Sequence, residues 1–361
     1  MHKLSLDDVK NFVLSKSAFR IRTVLQPMSG SVVFPPTYAQ PSKGDKSDGP
    51  FVVIRKEHRD GQQVQTVVLD SRQSQANRFE EALYQADKAL PDLYVDCDSE
   101  HYSVYTLAHR IYDAVIRESE LDGIPFWKTE LGKSIKGSHL KNADALYQYA
   151  PQVLLFGGWD SHSGGGVNTA KIPRVVTSEI VGIDAQQNPH ASTKTDPLDT
   201  RKDAGASSEE GFGTVPNVTK SRTVSIQYAE QLMCVSLTSI RRILLNQSQA
   251  ATEAAHTVLA CLALYAFGQY LEQGYDLRSG CQLVPESEPV LEVVGRTLDD
   301  ITEFTLDLSS IEELLDEAIK QAETIGLCWN KEAIHLKANI KLQDIITKSR
   351  ELNRQKGPAE E

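Results

Sequence analysis

The chain has 361 residues, 40% hydrophobic and 24% charged, with a formal net charge of −11 at pH 7. That length can bury a large core, as one elaborated domain or two compact ones, and the composition excludes a disordered, fibrous or collagen-like chain. Cys97, Cys234, Cys261, Cys281 and Cys328 are scattered with no CxxC pair, which argues against a disulfide frame or zinc site and for reduced thiols in a cytoplasm. The opening "MHKLSLDDVKNFVLSKS" carries Asp7 and Asp8 where a secretory signal needs an apolar core, and the longest apolar run, 257–268, is too short to span a bilayer. A soluble, cytoplasmic protein without a membrane partner is expected.

The charge is uneven. Residues 286–323 hold twelve acids and two bases, a balance of −10, while residues 1–60 hold ten bases and six acids, a balance of +4. A basic face can coexist with an acidic total, and binding to a polyanion depends on that face and not on the sum. Composition therefore neither excludes nucleic acid nor suggests it.

In chain order, a short helix comes first, and then "AFRIRTVLQP" alternates. Phe19, Ile21, Thr23 and Leu25 point one way and Arg20 and Arg22 the other, which predicts a half-buried strand with a basic outer face. "SGSVVFPPTYAQPSKGDKSDGP" reads as a long loop. "FVVIRK" and "VQTVVLD" read as a hairpin around "RDGQ". "LDSRQSQANRFEEAL", residues 69–83, turns from strand to amphipathic helix, and "TLAHRIYDAVIRES" reads as a second helix. "APQVLLFGGWDSHSGGGVNTAKIPRVVTSEIVGIDA" reads as strand, glycine loop, strand. Residues 186–220 are poor in apolar side chains and read as a disordered insertion or projecting arm. "ATEAAHTVLACLALYAFGQYLEQ" is apolar on most sides and predicts a buried core helix. "SSIEELLDEAIKQAETIG" shows a capping box at Ser310 and Glu313 and a stop at Gly326. "AIHLKANIKL" has the period of a late strand.

Two stretches carry concentrated hydrogen-bonding chemistry. At 69–83, Ala76, Phe79, Ala82, Leu83 and Ala86 share one helix face, with Gln73, Ser74, Asn77, Glu81 and Tyr84 opposite. Ser71 or Ser74 can simply cap the helix, with Arg78 paired to Glu81. The same geometry also makes an anion site from first-turn N–H groups, Arg72 and Arg78, with Gln73, Gln75 and Asn77 for sugar or base edges. The second stretch is "FGGWDSHSGGG" followed by "KIPR". It is neither a Walker A loop nor a dinucleotide fingerprint; it is a surface loop, or a close backbone approach to a ligand with Lys171 and Arg174 on phosphate.

Asp160, Ser161 and His162 are neighbours that point apart and cannot form a triad. His109 stands one turn from Asp113, and His101 lacks a third ligand at metal spacing. No catalytic residue, metal or cofactor is expected.

Six segments in order, "LQPMSGSVVFPPTYA", "LDSRQSQANRFEEAL", "HRIYDAVIRES", "LDGIPFW", "PQVLLFGGWDSH" and "PRVVTSEIVGIDA", resemble the backbone subunit of the type I-G (formerly I-U) CRISPR Cascade, a RAMP-superfamily protein. The resemblance spans 25–185 strongly and the C-terminal part more loosely. It implies an α+β fold, a modified RNA-recognition (RAMP/ferredoxin-like) core with inserted loops and a helix-rich C-terminal part. The chain would divide into an RNA-binding first part (1–185), a flexible, thumb-like insertion (186–220) and a helix-rich part completing the core (221–361). It also implies a non-catalytic subunit polymerising along a CRISPR guide RNA. The partners would be copies of itself, other Cascade subunits, target DNA through the guide, and a recruited helicase-nuclease. The candidate RNA-binding residues are Arg20, Arg22, Ser71, Arg72, Gln73, Ser74, Gln75, Asn77, Arg78, His109, Arg110, Trp159, Ser161, Lys171 and Arg174. The aromatic signature of ordinary RNA-recognition domains is missing, as a subunit that must ignore sequence allows. Two rivals remain: an RNA-processing endonuclease using His109 or His162 as base, and a structural or interaction protein whose polar helix start is only a cap.

Overall fold

The computed structural model describes residues 2–36, 53–57, 63–97, 100–160, 171–187, 196–198 and 223–356. In the first half the elements used below are α1 (Leu6–Ser15), β1 (Ala18–Pro27), β2 (Val53–Glu57), β3 (Gln63–Asp70), α2 (Arg72–Gln85), β4 (Leu93–Cys97), β5 (Glu100–Ser103) and α3 (Pro151–Phe156). They continue with β6 (Gly158–Trp159), β7 (Lys171–Ile172), β8 (Val176–Ile183), β9 (Tyr228–Ser236), α4 (Gln249–Gln273) and β10 (Tyr275–Arg278). The last are β11 (Cys281–Pro285), β12 (Val290–Val294), β13 (Ile301–Thr305), α5 (Leu308–Thr324) and β14 (Ile334–Ala338).

The alternation of β1 sets the two faces of the sheet. Phe19, Ile21, Thr23 and Leu25 are buried, and Arg22 is exposed, as period two demands. The main sheet runs β13-β12-β1-β9-β8-β3-β2, with every neighbouring pair antiparallel. Between β1 and β8 the chain crosses through α2, and between β9 and β12 it crosses through α4. Strands one to four of that β-α-β-β-α-β unit are β1, β8, β9 and β12, and they lie in the order four-one-three-two. This is the ferredoxin-like arrangement shared by RNA-recognition domains. The α+β expectation holds, with the β2–β3 hairpin added at the edge beside β8.

The helices close one face of this sheet. α2 packs on α4 and β8, and α1 and α5 pack on α4. α4 is long and apolar enough to cross a bilayer, yet 78% of its most apolar window is buried by the protein, which makes it the central core helix. Residues 221–361 are less purely helical than expected, because they also supply β9 to β14. β14 is the predicted late strand; it pairs parallel with β4 in a second, five-stranded sheet that includes β5.

Three local expectations fail for identifiable reasons. "TLAHRIYDAVIRES" is not one helix but a 3₁₀ turn, Arg110–Tyr112, followed by the short helix Ala114–Arg117. Arg110 adopts φ 54°, which breaks a right-handed helix. The Asp113 carboxylate accepts the His109 and Val115 backbone N–H groups, each at 3.0 Å, and so starts the second helix. "PQVLLF" is helix α3 and not a strand, with Pro151 in its first turn and Gly157 at φ 86° ending it. The cap of α5 is Asp307, which accepts the Ser310 backbone N–H at 3.2 Å, instead of a Ser310–Glu313 box. Most of 186–220, and the arm expected there, lies outside the described residues. Its first pair, Gln186–Gln187, joins Val224–Ser225, which in turn joins Val32–Val33.

The cap assignment is testable. Hydroxyls of Ser310 and then Ser309 donate to Asp307 and hold its carboxyl below the ordinary 3.8. A folded pKa below the unfolded one contributes stability above the unfolded value that is lost as pH falls through the folded value. Asp307→Ala is expected to lower Tm at pH 7 while Glu313→Ala does not. The gap between wild type and Asp307→Ala should close in melts taken below pH 3.8.

Candidate nucleic-acid interface

The sheet face turned away from the helices carries Arg20 and Arg22 from β1. It also carries Glu230, Leu232 and Cys234 from β9, Glu179 from β8 and Glu292 from β12. Arg20 sits opposite Cys234 on one side and Glu292 on the other, and Arg22 sits opposite Leu232 and Val290. The two arginines share a face, as the alternation predicts, but they do not make it basic. Arg20 Nε donates to Glu292. Arg22 donates to Glu230 Oε1 at 2.8 Å. Arg72, at the start of α2, approaches Glu179 at 3.8 Å. The open face is a lattice of alternating charge. Sequence reading missed the three glutamates because each lies on a different element, far along the chain, from the arginine it meets.

The polar start of α2 resolves into two sets of residues. Ser71 is the cap, accepting the Ser74 backbone N–H at 3.3 Å. Arg72, Gln73 and Asn77 are exposed and Ser74 is half-buried, so these four remain available to a ligand. Gln75 does not, because it is fully buried. Its Nε2 donates to Asp70 Oδ2 at 2.7 Å, and its Oε1 accepts from Ser178 Oγ at 2.8 Å and Gln231 Nε2 at 2.7 Å. Tyr275 O–H closes the chain by donating to Gln231 Oε1 at 2.7 Å. Arg78 pairs with Asp70 at 3.0 Å, not with Glu81, and donates to the Leu277 carbonyl at 2.6 Å. A buried amide without partners is expensive, so this network fixes Gln75 in the interior, and half-buried Arg78 is tied to it through Asp70.

The second cluster divides the same way. Arg110 is buried and grips Glu80 with both arms, NH2 to Oε2 at 2.6 Å, which removes it from the surface. Burial pushes the Glu80 carboxyl up to about 7, against the hydrogen bond and charge of Arg110. The two-pronged contact with the Arg110 guanidinium favours the ionised pair. Arg174 is half-buried and donates to the Phe156 carbonyl at 3.2 Å; burial and then the Arg110 charge lower its pKa. Gly157 has to be a glycine here, because a Cβ would meet the Ile172 carbonyl at 3.1 Å on top of its positive φ. β6 and β7 pair so that Trp159 faces Lys171. Trp159 is 61% exposed, and Lys171 Nζ lies 5.9 Å from its ring centre, within cation–π reach. His109 is exposed, and the Asp113 carboxylate binds its backbone N–H. Ser161 lies outside the described residues.

Comparison with known proteins was made against this geometry. Residues 19–187 match the family model of CRISPR-associated protein GSU0053. That span runs from β1 through β8 and contains every candidate residue above. A search of curated proteins finds no match. Among solved structures, a chain from a CRISPR RNA-guided surveillance complex in a pre-nicking state aligns over 92% of this chain and 99% of its own. Its identity is 12% and its TM-score 0.36, a likeness too loose to bear on function.

The division into fixed and available residues predicts distinct phenotypes. Gln75→Leu strands Asp70, Ser178 and Gln231, and is expected to destabilise by about 3 kcal/mol in denaturant titration. Arg110→Ala leaves Glu80 buried without its partner, at roughly 3–5 kcal/mol. Gln73→Leu and Asn77→Leu should stay within about 0.5 kcal/mol of wild type.

Proposed function

We propose that the chain is a non-catalytic RNA-binding backbone subunit of a type I CRISPR surveillance complex, of the I-G kind, that polymerises along the guide RNA in the cytoplasm. The observation that carries this reading is the match of 19–187 to a CRISPR-associated family, because that span presents Arg20, Arg22, Arg72, Gln73 and Asn77. These side chains suit a grip on phosphates and sugars, which carries no sequence information. Such a grip is what a guide holder needs, since base pairing with target DNA supplies specificity. Trp159, exposed beside Lys171, adds a ring on which a base or ribose can stack. Contacts with other copies, with further Cascade subunits and with a helicase-nuclease belong to the same proposal.

Chemistry is assigned elsewhere in that complex. The carboxylate nearest His109 in sequence, Asp113, is engaged by two backbone amides, which weighs against an oriented His109 base. The test is purification after coexpression with a CRISPR array. RNA of uniform length should copurify, and less of it should be retained by Arg20→Ala/Arg22→Ala and by Trp159→Ala. Neither guide nor complementary target should be cut, with or without magnesium. Magnesium-dependent target cleavage that disappears in Asp160→Asn would overturn the non-catalytic assignment, and absence of RNA would overturn the binding one.

A further inference from the structure

The open sheet face has the wrong electrostatics for a simple RNA groove. Among the described residues, Arg20 and Arg22 lie on it and Arg72 reaches it from the start of α2, and each has a carboxylate within ion-pair reach: Glu292, Glu230 and Glu179. The acids come from β12, β9 and β8, on both sides of β1, so the pattern is built into the sheet register and is not a local accident of sequence. Resting on the reading of this face as the RNA interface, we propose that Glu179, Glu230 and Glu292 are affinity-setting residues. They occupy the arginines in the free subunit and are displaced when RNA phosphates take their place.

The pairs differ in how readily they open. The Arg72 side chain is 64% exposed, and at 3.8 Å from Glu179 it is held loosely. Arg22 is 52% exposed but makes a 2.8 Å hydrogen bond to Glu230. Arg20 and Glu292 are 20% and 19% exposed, the most shielded pair. Exposed ion pairs contribute little net stability, so opening the outer two is easy. A phosphate offers a guanidinium the same two-oxygen fork as a carboxylate. An isolated phosphate or a short anion gains little by the exchange. A strand that lays several phosphates across β12, β1, β9 and β8 displaces all three glutamates at once. The face is thereby biased against loose polyanions and toward a strand laid in register.

Exchange also has a distinctive salt signature. A free arginine that binds a single strand releases counterions, about 0.7 per phosphate contact in the slope of log K against log salt. When a carboxylate is displaced, it takes up a cation as the phosphate loses one, and the two nearly cancel. The wild-type face should therefore bind RNA with little salt dependence from these arginines. The glutamine variant Glu179→Gln/Glu230→Gln/Glu292→Gln keeps the shape and removes the charge.

The experiment measures binding of purified protein to poly-U RNA and to heparin across a KCl series. It compares wild type, the triple glutamine variant, and the triple glutamine variant carrying Arg20→Ala, Arg22→Ala and Arg72→Ala. The triple glutamine variant is expected to bind poly-U roughly tenfold tighter at low salt, with a slope steeper by about 2, and to gain at least as much for heparin. Adding the arginine substitutions should abolish both gains. If the triple glutamine variant matches wild type while adding the arginine substitutions to it weakens binding, the face holds RNA but the glutamates do not set its affinity. If the arginine substitutions leave binding by the triple glutamine variant unchanged, the face is not the RNA interface, and the inference falls together with the reading beneath it. Circular dichroism melts of all variants confirm that each is folded.

Discussion

The side-chain amide of Gln75 joins the crossover helix α2 to the sheet it crosses. Through Asp70, Ser178, Gln231 and Tyr275 it links α2 to β3, β8, β9 and β10. Each bond alone is modest, but every member is buried, and removing one partner leaves the others without water to replace it. The consequence is geometric. β8 and β9 meet at Ser178 and Gln231, whose side chains are 3.2 Å apart, and α2 docks above that point at one angle only. The exposed side of α2 is thereby aimed, so the placement of Arg72, Gln73 and Asn77 at the sheet edge follows from an amide that never sees solvent.

Much of this architecture was legible in the sequence, and the limits are instructive. β1 and β14 could be read because burial alternates along them, the β2–β3 hairpin because a turn signal joins two strand-like runs, and α4 because its apolar run is too long for a strand. α3 could not, because "VLLF" is buried on all sides and an all-apolar run has no period to distinguish helix from strand. The break at Arg110 was invisible for another reason: a left-handed arginine is uncommon, and the Glu80 it grips lies thirty residues away. The interface was half legible. Alternation placed Arg20 and Arg22 on one face, but their partners Glu292 and Glu230 lie more than two hundred residues on, and only strand register brings them together.

The same distinction explains why one motif can be both structural and functional. "LDSRQSQANR" places polar residues at helical positions that alternate between the interior and the surface. Where the side chain turns inward, as at Asp70, Gln75 and Arg78, the low local dielectric makes each bond costly to break and the residue is fixed. Where it turns outward, as at Arg72, Gln73 and Asn77, water competes with every partner and the residue is free to exchange. Counting polar groups along the motif therefore overstates the ligand surface.

That difference in exchange energy extends to the whole molecule. The Glu80–Arg110 pair and the Glu230–Arg22 pair have the same chemistry, yet the first is sealed between α2 and the 3₁₀ turn while the second borders the open face. Opening the sealed pair would leave a buried charge and unseat α2. Opening the outer pair leaves both ions wetted, so an incoming phosphate only has to match a carboxylate that was itself in competition with water. An arginine-rich strand bordered by glutamates on the neighbouring strands is thus compatible with a net charge of −11 and with a polyanionic ligand together. The acids lower the affinity for any single phosphate, and the rigid spacing of the strands sets how many must be engaged before binding becomes favourable.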